Sequence, residues 1–193
     1  REMRSLVPND AMVKAITEIG DWSRRNFGDQ EGDGLRLGRI APLLGIIEEY
    51  GEFWCGDAQG QYLDALGDLV IFLADYLLRS GWSAESIADL YGGYNSTDNP
   101  IDSYIFFWAV ADLCKVELKR IQGIRGMIDE QAYRARQQCS VAKIVHWAAL
   151  MARIHGSTLI DTFTTTWTAV RKRDWNKYPV TGTAVSATVS END

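Results

Sequence analysis

The chain reads as all-α. Three observations predict this class. Apolar residues recur at helical spacing in successive stretches, turn-forming residues separate those stretches, and no convincing set of alternating strands occurs. The predicted helices lie near 9–27, 41–55, 58–80, 84–92, 102–121, 129–155 and 158–173.

The first helix carries Trp22-Ser23-Arg24-Arg25-Asn26-Phe27-Gly28 at its close, before a Gly/Asp-rich loop from Gly28 to Gly38. In the second, Leu43, Leu44, Ile46, Ile47, Tyr50 and Phe53 form an apolar stripe, and Pro42 suits a first turn. The third, through Tyr62 and on to Leu78, is apolar almost all round, which predicts a central position. Gly81 ends it and Ser83 caps the fourth, after which Gly92 to Pro100 forms another loop. The fifth closes on Leu118-Lys119-Arg120, the sixth holds His146 as a core histidine, and the seventh closes on Val170-Arg171-Lys172-Arg173. Residues 1–178 are expected to form one domain, with 179–193 a flexible tail of small, polar and β-branched residues.

The second and third helices carry an unusual load of acid. Glu48, Glu49 and Glu52 lie three and four residues apart, so their side chains fall on neighbouring lines of one helix face. Asp64 and Asp68, also four apart, share a face of the next helix. Aspartate is a mediocre helix former, and neither run contains a lysine or arginine near these acids. Burying carboxylates without partners is costly. A hard divalent cation, magnesium above all, is the simplest partner for five oxygen-donor side chains. Gly67, beside Asp68, removes bulk where a helix or ligand could approach. Asp75, two turns beyond, reads as an ordinary acid facing a basic partner.

Glu48-Glu49-Tyr50-Gly51-Glu52 followed by Asp68 resembles the signature of the all-α nucleoside triphosphate pyrophosphohydrolases of the MazG/dimeric-dUTPase superfamily, with the phosphoribosyl-ATP pyrophosphatases among its relatives. That signature is Glu-Glu-x-x-Glu on one helix and Glu-x-x-Asp on the next. The first half matches in full. In the second, Ala65 stands where the glutamate belongs, and Asp64 is the candidate substitute. The resemblance extends over about residues 9 to 178.

The resemblance implies a MazG-like helical bundle that splits a nucleoside triphosphate between its α- and β-phosphates, releasing monophosphate and pyrophosphate. It implies Mg2+, with Mn2+ as a substitute, on Glu49, Glu52, Asp64 and Asp68. Glu48 is a further ligand or the base that orients the attacking water. Trp22 and Asn26 are then candidates for the base, and Lys172 and Arg173, or Lys119, Arg120 and Arg125, for the triphosphate. It also implies a homodimer or higher oligomer. A dUTP- or purine-dNTP-specific enzyme, and a catalytically silent, metal-dependent nucleotide-binding protein, are the alternatives. A di-iron carboxylate bundle is disfavoured, because the chain contains no Glu-x-x-His.

A second, internal likeness raises the idea of a degenerate tandem of two helical halves. Phe72 to Gly81 resembles Trp147 to Gly156, and Ser83 and Ser157 follow as caps. Aligning the glycines sets Lys143 against Asp68 and Cys139 against Asp64.

Composition narrows the remaining classes. A length of 193 residues and 46% hydrophobic content suffice for a substantial core. A net charge of −6 disfavours broad nucleic-acid binding. Three widely spaced cysteines, Cys55, Cys114 and Cys139, argue against a disulfide framework or a zinc site. Neither a membrane span nor a signal peptide is visible, so a cytoplasmic location is expected, in the host cytoplasm if the source is viral.

Overall fold

The structure, a computed structural model, describes residues 10–28, 38–94, 103–122 and 130–184. Among them there are seven helices and no strand. They are α1 (Asp10–Phe27), α2 (Ile40–Cys55), α3 (Gln59–Arg79), α4 (Ala84–Tyr94), α5 (Ser103–Ile121), α6 (Glu130–Ile154) and α7 (Leu159–Val170).

The order and approximate bounds match the pattern of the sequence. α3 takes the central position that its all-round apolar character predicts. Leu66, Leu69, Leu73, Tyr76 and Leu77 are wholly excluded from solvent, and α1, α2, α4, α6 and α7 all pack on it. α2 folds back on α3 through a short connection at Gly56–Ala58, where the Gln61 carboxamide oxygen accepts from the backbone N–H of Asp57 and Ala58. No helix among the described residues is long and apolar enough to cross a membrane.

Two glycines set how closely the helices meet. A Cβ on Gly45 would stand 2.6 Å from the Phe72 ring, and one on Gly67 would stand 1.9 Å from Thr166 Oγ1. Gly67 therefore serves helix packing: it admits α7 against α3. Gly81 and Gly156 end their helices at φ +84° and +77°, in the left-handed region that glycine enters without strain.

The ends differ from expectation in two places. α7 is capped by Thr158, whose Oγ1 accepts from the Asp161 N–H at 3.1 Å, rather than by Ser157. It also stops at Val170 rather than 173, because residues 171–184 turn back over α1. Trp22 Nε1 donates to the Arg173 carbonyl at 2.9 Å. The Trp175 N–H donates to Asn26 Oδ1 at 2.8 Å, and Asn176 Nδ2 donates to the Arg25 carbonyl at 2.6 Å.

Candidate metal centre

The α2–α3 hairpin sets the five acids within electrostatic reach of one another. Because the helices run antiparallel across a short turn, Glu52 comes level with Asp64 and Glu49 with Asp68. Glu49 is buried at 8% exposure, Asp68 is half-buried, and Glu48, Glu52 and Asp64 are exposed. Glu49 lies on the core-facing side of α2 with Leu43, Ile46 and Phe53. Its carboxyl forms no hydrogen bond or ion pair with the described residues.

The electrostatics follow from that crowding. Burial pushes the Glu49 carboxyl up to about 8, with further upward pressure from Asp68, Glu52, Glu48 and Asp64. Burial also pushes Asp68 up to about 6, reinforced by Asp64 and Glu52 and opposed by Arg173. All four of the other acids thus act on Glu49. Glu52 and Asp64 also line a cleft of about 250 Å3 with Cys55, Gly56, Gln61 and Ala65. Ala65, at the position of the missing glutamate, is 4% exposed and forms the buried wall of that cleft, whereas Asp64 beside it is exposed.

In kind, the donors suit a hard cation: all are carboxylates, and one is buried without a partner among the described residues. In spacing they stand apart. Among the described residues no three Asp, Glu, His or Cys side chains converge closely enough to hold a metal ion.

The basic and base-reading candidates divide. Arg173 reaches the cluster electrostatically, as its effect on Asp68 records. Lys172, next to it, is exposed. Trp22 and Asn26 hold the turn that carries Arg173: Trp22 through its indole N–H and Asn26 through its amide oxygen, while Asn26 Nδ2 donates to the Trp22 carbonyl within α1. Trp22 also packs edge-on against Trp167 and Phe27. Lys119 donates to Gln122 at 3.3 Å, and Arg120 to Glu117 at 2.7 Å. That end of α5 lies by Arg39, just before α2, roughly 15 Å along the helix axis from Glu49. Arg125 lies outside the described residues. Asp75 has the basic partner expected of it, Arg79 at 3.0 Å, and also accepts from Ser23 at 2.9 Å. His146 is half-buried and stacks on Tyr94, and His155 stacks on Tyr62.

Sequence reasoning missed a second buried acid. Glu117 is wholly excluded from solvent. It accepts from Tyr76 at 3.1 Å, Tyr133 at 2.7 Å and Arg120 at 2.7 Å, with Arg39 at 3.9 Å. Gln137 Nε2 donates to the Tyr76 oxygen, and Trp82 Nε1 to Gln137 Oε1. The one local signal was the three-residue spacing of Glu117 and Arg120.

The chain matches no family model, no curated protein and no solved structure.

Proposed function

We propose that the α2–α3 carboxylates form the centre of a magnesium-dependent nucleoside triphosphate pyrophosphohydrolase, which cleaves the α–β phosphate bond to give monophosphate and pyrophosphate. The observation that carries this reading is Glu49: a buried carboxyl with no hydrogen-bond or ion-pair partner among the described residues, raised by the charge of four other acids. A stabilising role would call for a partner, and Glu49 has none among the described residues. The motif resemblance supplies the reaction class.

In this reading Glu49, Glu52, Asp64 and Asp68 would hold the cation. When bound, it supplies charge neutralisation at the phosphates and acidification of water. The chain's own groups do the rest. Glu48, exposed one residue from Glu49, orients the attacking water or adds a ligand. Arg173, held by the Trp22 and Asn26 contacts, offers a fixed positive charge for the phosphates, with Lys172 beside it. The antiparallel hairpin keeps the donors on a rigid frame, so their positions are set before substrate arrives.

The test is incubation of the purified protein with each of the common ribo- and deoxyribonucleoside triphosphates and magnesium. Equal release of pyrophosphate and monophosphate, lost with EDTA and with Glu49→Gln, is the expected result. A dUTP or purine-dNTP specialist would turn over one nucleotide only. The second reading, a silent nucleotide-binding protein, is favoured by the spacing of the acids, which do not already converge on a metal position. Metal-dependent nucleotide binding without turnover of any substrate would establish it and overturn the hydrolase.

A further inference from the structure

α5 carries two apolar stripes about 120° apart around the helix; the inner is wholly buried, while on the outer only Ala111 and Cys114 are half-buried, Cys114 against the core. The inner face carries Phe106, Ala109, Val110, Leu113, Val116 and Glu117, all buried. The outer face carries Tyr104, Phe107, Ala111, Cys114, Leu118 and Ile121. Along that outer face Phe107 is 61%, Leu118 49% and Ile121 59% exposed, and Tyr104 is 62% exposed. A helix that is apolar on both faces belongs in an interior.

The spacing of the outer face is more specific than mere exposure. From Tyr104 to Ile121 the steps run three, four, three, four, three. That is the seam of a coiled coil, with side chains meeting the facing helix at 3.5 residues per turn. Such a seam specifies a helical partner.

The seam is also complementary to itself. An antiparallel two-fold between Ala111 and Cys114 sets Tyr104 of one copy against Ile121 of the other and Phe107 against Leu118. The small residues Ala111 and Cys114 then face each other at the centre, where the backbones come closest. The same two-fold brings Lys115, which is exposed, beside Trp108 of the other copy, 59% exposed, in cation–π range. No pair of like charges faces across this arrangement. An isologous contact requires this kind of self-matching.

We propose that the outer face of α5 is a self-association surface: a second copy of this chain docks on it through its own α5, antiparallel, as a two-helix seam. The inference is independent of the hydrolase reading, since none of its residues belongs to the acidic cluster.

One helix pair buries less than the roughly 800 Å2 per partner of a standard interface, so the dimer is expected to be concentration-dependent. Sedimentation velocity on the full chain from about 1 to about 100 μM should show a monomer–dimer equilibrium. Phe107→Asp and, separately, Leu118→Asp should each weaken association by at least roughly 30-fold. Both side chains are exposed, so the circular dichroism and melting temperature of the monomer should hold. Orientation is read by disulfide trapping in a Cys55→Ser, Cys139→Ser background. Adding Ala111→Cys should give covalent dimers through Cys114 of the other copy, while Cys114 alone should trap little. A chain monomeric throughout that range overturns the proposal, as does a dimer that both aspartate variants leave intact. Efficient trapping through Cys114 alone would overturn the antiparallel arrangement in favour of a parallel one.

Discussion

Two helices of this protein each bury a glutamate, and the two could hardly be treated more differently. Glu117, wholly buried, is met by two tyrosine hydroxyls and two arginines. Glu49, almost as buried, is met by four more acids and no described partner. Both acids cost free energy to desolvate. At Glu117 hydrogen bonds and opposite charge offset that cost within the chain. At Glu49 nothing among the described residues does, and the carboxyl is driven toward its neutral form. Burial alone therefore does not separate a structural acid from a functional one. The identity of its neighbours does, and a site whose neighbours worsen its burial is a candidate for something bound from outside.

The largest effect expected on stability is at Glu117. Glu117→Leu removes the common acceptor of Tyr76, Tyr133 and Arg120 and leaves the buried Tyr76 hydroxyl without its acceptor. Breaking a buried pair in this way costs about 3–5 kcal/mol. For a chain of this size that is a fall in Tm on the order of 10 °C, measurable by calorimetry. A loss below about 1 kcal/mol would show that the network contributes little.

Glu49→Gln should act in the opposite sense. The carboxyl stands at about 8 in the folded chain against an ordinary 4.5, and Asp68 at about 6 against 3.8. Raised carboxyl values mean that the folded state retains protons the unfolded state has released. Their contribution to stability is fully present below the ordinary values and is lost as pH rises through the folded ones. Without divalent cation, the protein should lose on the order of a few kcal/mol between pH 4.5 and pH 8. Glu49→Gln keeps the position neutral, so most of that decline should vanish and the variant should exceed wild type at pH 8. Magnesium should stabilise wild type most at the alkaline end and leave the variant nearly unmoved. A flat pH profile in the metal-free protein would remove the distinction between the two glutamates.

The order of the helices was legible in the sequence because apolar spacing, glycine stops and turn residues all pointed the same way. α3 shows it best, since a helix apolar on every side can only be central. The acidic cluster was legible because charges three and four apart on adjacent helices must share a face. The Glu117 network was not, because its members come from α3, α5, α6 and the approach to α2, and no local pattern joins Tyr76 to Tyr133 or Gln137. Gly67 was ambiguous for the same reason: the sequence shows that bulk is missing, but only packing shows that Thr166 fills the space. Trp22 and Asn26 drew attention as a base platform, and the Trp22 indole N–H and the Asn26 amide oxygen turn out to serve the segment after α7, which lies about 150 residues away in sequence.

Smaller effects should follow at the cation that reaches the acidic cluster. Arg173 holds Asp68 below where burial and Asp64 would leave it. Arg173→Gln should raise the Asp68 carboxyl further, read by NMR titration of its side-chain carbon. An unchanged Asp68 would detach Arg173 from the site.

The smallest effect concerns how Arg173 is held. Trp22→Phe deletes the indole N–H that donates to the Arg173 carbonyl while keeping an aromatic ring against Trp167. One neutral hydrogen bond of this kind contributes about 1 kcal/mol, so denaturant unfolding should show a loss near that value. If Trp22 acts by fixing the segment, Trp22→Phe should shift the Asp68 titration in the same direction as Arg173→Gln and by less. If its ring is needed as a stacking face for a nucleotide base, phenylalanine should preserve nucleotide affinity, whereas Trp22→Ala should abolish it. The two substitutions together separate a residue that builds the basic side of the site from one that touches the ligand.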